Sequence, residues 1–185
     1  MNRDTALELL KKHVKSQNTI KHSLASEAVL RALAKRLGEN EDKWGIAGLL
    51  HDVDYEICEG NPSTHGILCT DILKENDVDK DIIDSINAHN EMASDAPRRS
   101  TKFHYALAAG ETITGLITAT ALVYPDKKLA NVKVKSITKR MKEKAFAASV
   151  NREVIMECEK LGLTIDEFAQ IALEAMQAIS TELGL

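Results

Sequence analysis

The stretch that decides the fold is Ile46-Ala47-Gly48-Leu49-Leu50-His51-Asp52, an uncharged, mostly apolar run that ends in two adjacent metal-ligand side chains. A helix that is apolar on all its faces is typical of the buried middle of a domain. Asp42 is a plausible N-cap, so the pattern predicts a short helix over 42–51. His51 and Asp52 would then lie at the inner end of this helix, which makes a metal site the first hypothesis.

Apolar residues at spacings of three and four predict further helices on both sides of this run. Before it, helices are expected over 4–15 and 19–37, the second ending at Gly38 in the manner of a helix with a C-terminal glycine. After it, helices are expected from about Asn61 to Glu75 with His65 in the first turn, over 80–90 capped by Asp79, over 101–124, over 130–147 with a break near Ser136, over 150–161, and over 165–183 after Thr164. No strand pattern is found, so the predicted fold class is all-α, a helical bundle.

Length and charge limit the classes to which the protein can belong. The 185 residues fit a single domain over 1–185, with a core at about 15–124 and a C-terminal helical extension at about 126–185. No apolar run approaches the ~18–20 residues that cross a bilayer, and no signal region is seen, so a cytoplasmic protein without a membrane partner is expected. The net charge of −4 makes nucleic acid an unlikely partner, and the basic stretch 127–144 is read as a solvated helix face, with an anion-binding patch as the alternative.

Four more residues on or near helical segments could join the His-Asp pair. These residues are His22, His65, His89 and Glu111. Imidazoles and carboxylates suit Fe, Mn, Ni, Co or Zn as divalent ions, and a catalytic site needs open positions for water. One ion would be held by His22, His51, Asp52 and Glu111. His65 and His89 either complete a second site bridged by Asp52 or stand behind a single ion as proton donors.

Other residues of the same types are read as ordinary surface or core groups. His13 lies among lysines and His104 follows a basic loop start, so neither is expected to bind a metal. Residues 54–56, Asp-Tyr-Glu, are read as a solvated loop, with contacts behind the metal or to a substrate as the alternative. The three cysteines lack CxxC spacing, so a cysteine-bound zinc is not expected.

The order of these residues resembles the H…HD…D signature of the HD-domain superfamily: His22, then His51-Asp52 after an apolar helix, then an acid in a later Ala-rich helix. The wider pattern, including 47–56 and 114–117, is similar to an uncharacterised group of predicted HD hydrolases. The resemblance covers about residues 15–120 and implies an all-helical core with metal-dependent phosphohydrolase activity, usually on nucleotides or other phosphate esters. His65 and His89 stand where two-metal members carry additional histidines. The chain departs from the signature in its final acid, Glu111 for Asp, and in lacking the Lys or Gly that many members carry shortly after the HD pair.

The leading hypothesis is hydrolysis of a small-molecule phosphate mono- or diester, such as a nucleotide, by metal-activated water, with Asp52, His65 and His89 as catalytic residues. Lys21 and the basic residues near 133–144 are candidates for contacting the phosphate. Two alternatives remain open: a di-iron oxygenase on the same ligand set, and a non-catalytic, metal-dependent binding or regulatory module. A homodimer through the C-terminal helices is expected from the frequency of two-fold assemblies.

Overall fold

The computed structural model describes residues 1–93 and 95–185 and folds them into a helical bundle. In chain order its helices are α1 (Arg3–His13), α2 (Gln17–Leu37), α3 (Glu41–Leu50), α4 (Cys69–Glu75), α5 (Lys80–His89), α6 (Lys102–Leu122), α7 (Val134–Met141), α8 (Arg152–Met156), α9 (Ile165–Ala178) and α10 (Ser180–Leu183). Short 3₁₀ helices cover Leu129–Asn131 and Glu157–Leu161. The described residues contain no strand, which confirms the all-α prediction, and none of their helices combines the length and apolar character needed to span a membrane.

Side chains at the helix ends explain where most helices begin and stop. Gly38 ends α2 with a left-handed backbone at φ +72°, a conformation that glycine adopts without steric cost. The Asp79 carboxylate accepts a hydrogen bond from the N–H of Asp81 and caps α5 as predicted. Asp42 as the N-cap of α3 was wrong, because the Asn40 side chain accepts from the N–H of Lys43 at 2.9 Å. Asp42 pairs with Arg31 instead, with Oδ1 of Asp42 2.7 Å from Nη1 of Arg31.

The predicted helix from Asn61 to Glu75 begins only at Cys69, so His65 lies in a turn rather than in a first helical turn. Two features prevent an earlier start. Gly66 has φ +84°, which is outside the helical region. The backbone N–H groups of Gly66 and Cys69 both donate to the carboxylate of Asp54, at 2.9 and 3.1 Å, instead of to helical carbonyls.

Two C-terminal segments are also shorter than predicted. The segment 130–147 contains only α7 and the preceding 3₁₀ turn, and residues 142–149 form turns. Ser136, the predicted break, lies inside α7, where its hydroxyl hydrogen-bonds the Tyr124 phenol at 2.8 Å. The predicted helix 165–183 is interrupted at Ile179, where the backbone leaves the helical region and separates α9 from α10.

The core is centred on α2 and α6, the two longest helices, with α3 packed against α2. Every residue of α3 from Trp44 to Leu50 is buried, as its apolar sequence predicts. Trp44 stacks on Phe103 at the start of α6, with ring centroids 5.2 Å apart and nearly parallel planes. Phe168 of α9 is fully buried in the same core, so the C-terminal helices pack on the helices that carry His22 and Glu111.

The closest approach of α2 and α3 depends on Gly48. A Cβ atom at this position would lie 2.7 Å from the backbone oxygen of Ser26, a distance that real Cβ contacts do not reach. Because the obstructing atoms belong to the α2 backbone, they cannot move aside as a side chain could. The absence of a side chain at Gly48 therefore sets the spacing between the helix that carries His22 and the helix that ends at His51.

We expect Gly48→Ala to lower the free energy of unfolding by about 1–3 kcal/mol, since the added methyl group forces α3 away from α2. The greater helix propensity of Ala, worth about 1 kcal/mol, offsets only part of this loss. Urea denaturation measures the change. Gly45→Ala is the matched control, because there the nearest atoms belong to the Arg31 side chain, which can move. Equal losses in the two variants would contradict the backbone contact.

Candidate metal centre

Residues that are far apart in the sequence meet at one end of α3. His51 and Asp52 directly follow α3, His22 lies in α2, and His89 is the last residue of α5. His65 comes from the turn before α4, and Glu111 comes from the middle of α6. The structure therefore brings all six predicted site residues into one neighbourhood.

Within this neighbourhood, two compact groups of donor atoms share Asp52. The first contains His22, His51 and Asp52, and the second contains Asp52, His65 and His89; in each group the donor atoms lie within 4.8 Å of one another. The Nε2 atoms of His51 and His22 are 3.1 Å apart, as are those of His89 and His65. Asp52 Oδ1 is 3.1 Å from Nε2 of His65, and Oδ2 is 3.7 Å from Nε2 of His22. The carboxylate of Asp52 thus lies between two pairs of imidazoles.

Glu111 lies at the edge of the first group. Its Oε2 is 3.6 Å from Nε2 of His22, and its other carboxylate oxygen accepts a hydrogen bond from the hydroxyl of Thr112. The side chain is largely buried. A carboxylate in this position can turn toward an ion held by His22 and His51, although it is not one of the compact group of donors that His22 and His51 form with Asp52.

Hydrogen bonds on the far side of each ring fix the tautomer of all four imidazoles. Nδ1 of His51 donates to the carbonyl of Gly48 at 2.8 Å, and Nδ1 of His89 donates to the carbonyl of Ile86 at 2.6 Å. A carbonyl oxygen can only accept a hydrogen bond. In the neutral rings of His51 and His89 the proton is therefore on Nδ1, and Nε2 carries a lone pair.

The same tautomer follows for the other two rings. The Thr114 hydroxyl donates its single hydrogen to the carbonyl of Glu111 at 2.7 Å, so it must accept from Nδ1 of His22, which is 2.9 Å away. Nδ1 of His65 faces the carboxylate of Asp54 at 2.9 Å and donates to it. In the neutral form of each of the four imidazoles the lone pair is therefore on Nε2, the atom that lies near the Asp52 carboxylate.

This donor set fits a divalent transition metal. Facing lone pairs at 3.1 Å repel one another unless a proton or a cation lies between them. Two ligand atoms at ~2.1 Å from one ion are about 3.0–3.4 Å apart at octahedral or tetrahedral angles, which matches the separation in both pairs. Hydrogen bonding of Nδ1 to a carbonyl or carboxylate is also the usual support for a metal-binding imidazole. The two groups could each hold an ion, with Asp52 common to both.

In the metal-free chain, burial and neighbouring charges shift the pKa values of the four imidazoles in different directions. Burial lowers the pKa of His89 to about 4 and also lowers that of His51. Burial acts in the same direction on His65, but its hydrogen bonds to Asp52 and Asp54 outweigh this effect and raise its pKa to about 10. Glu111 and Asp52 likewise raise the pKa of His22 in spite of its burial. At neutral pH, His65 is therefore protonated and the neighbouring His89 is neutral.

Asp54 was read as part of a solvated loop, and for this residue the reading was wrong. Asp54 is fully buried, whereas Tyr55 and Glu56 are exposed. Its carboxylate accepts three hydrogen bonds, from Nδ1 of His65 and from the backbone N–H groups of Gly66 and of Cys69 at the start of α4. Cys58 lies close to Asp54 and His65, but its thiol donates to the Tyr55 carbonyl and the Asp54 oxygens are already engaged. Asp54 therefore orients His65 rather than opening a third metal site.

Asn90 was not identified from the sequence as part of the site. Its amide nitrogen donates to the carbonyls of Pro62, at 2.7 Å, and His65, at 3.0 Å. Asn90 follows α5 directly, so it ties the turn that carries His65 to the helix that ends at His89. The sequence pattern carried no signal for this role, because it placed Asn90 inside the predicted helix 80–90, whereas the backbone of Asn90 is extended.

Arg99 connects the site to the C-terminal helices, and it too was missed. Its guanidinium donates to the carbonyls of Ala88 and His89 at the end of α5, at 3.2 and 3.1 Å. The same group pairs with Glu91 at 2.8 Å and with Glu157 at 2.7 Å, and the Arg99 side chain is only 6% exposed. No spacing in the sequence pairs Arg99 with Glu157, which lies 58 residues away.

A cleft of about 290 Å³ opens over the two groups of donors. Its rim includes Tyr55, Met92 and Asn151, all of which are exposed to solvent. Among the described residues that line this cleft, none is Lys or Arg. Lys21, a predicted phosphate contact, instead lines a neighbouring cavity, and the basic residues near 133–144 belong to α7 and the turns after it.

Comparison with known proteins agrees with this geometry. The "Ribonuclease Y" of Nitratidesulfovibrio vulgaris (strain DP4) is 35% identical over 100 residues, which are 54% of this chain and 18% of that protein. The "Ribonuclease Y" of Oleidesulfovibrio alaskensis is 34% identical over 85 residues, 46% of this chain and 16% of the relative. The "Ribonuclease Y" of Onion yellows phytoplasma is 39% identical over 80 residues, which are 41% of this chain and 14% of that protein. This chain thus spans less than a fifth of the length of these curated relatives.

The family comparison covers more of the chain. The model of the HD domain matches residues 19–123, which is more than half of the sequence and includes all six predicted site residues. The match begins in α2, before His22, and ends just after α6, which carries Glu111. This protein belongs to the HD-domain family.

Proposed function

We propose that this chain hydrolyses a phosphate mono- or diester, such as a nucleotide, with two divalent metal ions for which Asp52 would be the shared ligand. HD domains are in general metal-dependent phosphohydrolases, which supports the reaction class. The observation that carries the proposal is the convergence of the Nε2 atoms of four imidazoles on one buried carboxylate, in two groups that share it. A structural zinc site would instead be closed by four ligands and would not open into a cleft.

The first ion would be held by His22, His51 and Asp52, with Glu111 beside them. The second would be held by Asp52, His65 and His89. The low pKa of His89, about 4, supports a ligand role for it, because a neutral imidazole cannot donate a proton near pH 7. In a one-ion site, His65 would be the proton donor, since its raised pKa keeps it charged in the metal-free chain.

Hydrolysis breaks the bond between phosphorus and the alcohol oxygen, adds the hydroxyl of water to phosphorus and transfers a proton to the departing alcohol. Divalent ions in such sites lower the pKa of water toward ~7 and offset the charge that develops on the phosphoryl oxygens. Asp52 fixes the position of both groups of imidazoles through its two oxygens. The Tyr55 phenol, half exposed at the rim, would donate a hydrogen bond to a phosphoryl oxygen.

The lining of the cleft favours a substrate with a single phosphate group. Each additional phosphate would need a cation, and no Lys or Arg stands among the described lining residues. The relatives are named as ribonucleases, so an internal phosphodiester of RNA is a second candidate substrate. The net charge of −4 favours the smaller ester.

Metal content and turnover test the proposal together. We expect about two transition-metal ions per chain in protein purified without chelator, and hydrolysis of nucleoside monophosphates or of bis-p-nitrophenyl phosphate by the loaded protein. Iron with dioxygen consumption and no ester hydrolysis would point to the oxygenase. Nucleotide binding without turnover would leave a binding module. The cytoplasmic location, the homodimer and the division of the chain at about residue 125 stay predictions.

Metal binding is expected to release protons. At pH 7 the pKa of His65, raised to about 10 by its hydrogen bonds to Asp52 and Asp54, means that it carries a proton on Nε2 in the metal-free chain, and a metal must displace it. The affinity should therefore rise with pH, by about tenfold per unit for each displaced proton, until the pKa of His65 near 10 is passed. Calorimetric titration in buffers of different ionisation enthalpy counts the protons. Release of none at pH 7 would contradict this arrangement.

A further inference from the structure

A second cavity, of about 500 Å³, lies between α2 and α6 next to the metal centre. We call it the α2–α6 cavity; its walls include His22, Lys21, Ala119, Leu122 and Leu183. His22 also lines the cleft over the metal centre, so the two spaces adjoin at this residue. The side chain of His22 is 29% exposed, against 1% for His51 and 14% for His65. His22 is thus reached from the side of this cavity as well as from the cleft.

The wall formed by α6 continues directly from the metal centre. Glu111, Gly115 and Ala119 are four residues apart and occupy one face of α6 on successive turns, about 6 Å from one to the next. Glu111 lines the cleft, and Gly115 and Ala119 line the cavity. A group attached to a phosphate at the metal centre can therefore extend along α6 into the cavity.

The volumes show why one cleft is not enough for a nucleotide. Ligand sites usually measure ~300–1,000 Å³, and the cleft of about 290 Å³ must also hold the ions and the phosphate. The α2–α6 cavity adds about 500 Å³, which is within the range for a nucleoside. The apolar residues of the cleft are few: Val154 is buried, and Tyr55 and Met92 stand at the open rim.

The chemistry of the walls fits a flat, uncharged ring. Ala119 and Leu122 present apolar surface, and Leu122 is 49% exposed, so this surface is in contact with solvent. Polar groups stand beside it in the ammonium of Lys21 and the hydroxyl of Thr118. A nucleobase has apolar faces and an edge of hydrogen-bond acceptors, which this combination can contact. Gly115 is explained by packing alone, because a Cβ there would lie 3.3 Å from a methyl group of Val150.

We propose that the α2–α6 cavity binds the nucleoside part of the substrate while the phosphate lies at the metal centre. The proposal rests on the proposed phosphate-ester hydrolysis and makes the substrate a nucleoside monophosphate. Lys21, which the sequence suggested as a phosphate contact, has a different role in it, as a donor to the edge of the base.

Binding of the four free ribonucleosides tests the cavity without any catalysis. Titration of the metal-free and metal-loaded protein should show that at least one nucleoside binds, while ribose does not. Ala119→Leu, which fills the cavity, should weaken that binding by about tenfold or more. Leu122→Ala removes an exposed wall without a packing risk and should weaken it severalfold. Met92→Ala, at the opposite rim, is the matched control and should leave it unchanged.

Binding of no nucleoside, or binding that responds to Met92→Ala and not to the two cavity variants, would overturn the proposal. Activity separates this failure from failure of the proposed function. With the metal-loaded wild type, kcat/KM should be higher for the monophosphate of the nucleoside that binds best than for ribose 5-phosphate, and Ala119→Leu should remove this difference. Equal values for the two esters in the wild type would overturn the cavity proposal alone. Hydrolysis of no phosphate ester would overturn the proposed function.

Discussion

Asp52→Asn should reduce the metal content from about two ions to less than one per chain and abolish measurable phosphate-ester hydrolysis. Asp52 is the single carboxylate shared by both groups of donors, with one oxygen toward His65 and the other toward His22. An amide is neutral and has only one oxygen, so it cannot bridge two ions. Removing a group that merely supports a ligand costs ~10–100-fold in affinity or activity, and removing the shared ligand should cost more.

Elemental analysis of the purified variant measures the metal, and circular dichroism establishes that the helices are intact. Asp71→Asn is the matched control, because it makes the same chemical change on a side chain that is 89% exposed and distant from the site. It should keep both ions. Retention of two ions by Asp52→Asn would show that the two groups bind independently, and the shared carboxylate would then have no bridging role.

Asp54→Asn should remove the second ion and also destabilise the fold, although Asp54 is not itself a proposed ligand. The Asp54 carboxylate is fully buried and accepts hydrogen bonds from His65, Gly66 and Cys69. An asparagine has one accepting oxygen. If that oxygen keeps the two backbone N–H groups, the NH₂ group faces Nδ1 of His65 and donates to it, which moves the imidazole proton to Nε2. The lone pair that the metal needs is then lost.

The expected losses for Asp54→Asn are about 2–4 kcal/mol in the free energy of unfolding and ~10–100-fold in affinity for the second ion. Urea denaturation measures the first loss and metal titration the second, while nitrogen chemical shifts of His65 report the tautomer directly. Cys58→Ala is the control, because Cys58 lies in the same small cluster without supporting the ring. If Cys58→Ala lost an ion while Asp54→Asn kept both, the thiol would be a ligand and the role given to Asp54 would be wrong.

The helices were predictable where local patterns decide them. The apolar run of α3 predicted its burial, and Gly38 and Asp79 act at helix ends as their residue types indicate. The start of α4 was not predictable in this way. Its backbone groups bind Asp54, and that contact exists only once the chain has folded. The six proposed ligands could be named because imidazole and carboxylate are the required chemistry, and the structure does bring them together.

The groups that hold those six residues in position were not predictable from sequence. Thr114 and Asn90 act through hydrogen bonds to residues far along the chain. The carbonyls of Gly48 and Ile86 belong to the backbone, which every residue type has, so the sequence does not indicate that they hold the imidazoles. Asp54 was misread because an acid after an apolar helix usually faces water, and here a turn folds back over it.

The Arg99 contacts limit how far this HD unit can be treated as a separable module. The family match stops at residue 123, yet Glu157 lies beyond it and holds the guanidinium that binds the end of α5. A fragment trimmed to the matched residues would lose this acid, and Arg99 would be free to turn toward solvent and release the carbonyl of His89. Grafting the matched region alone into another protein would therefore transfer the imidazoles without the Glu157–Arg99 ion pair that helps to hold His89 in place.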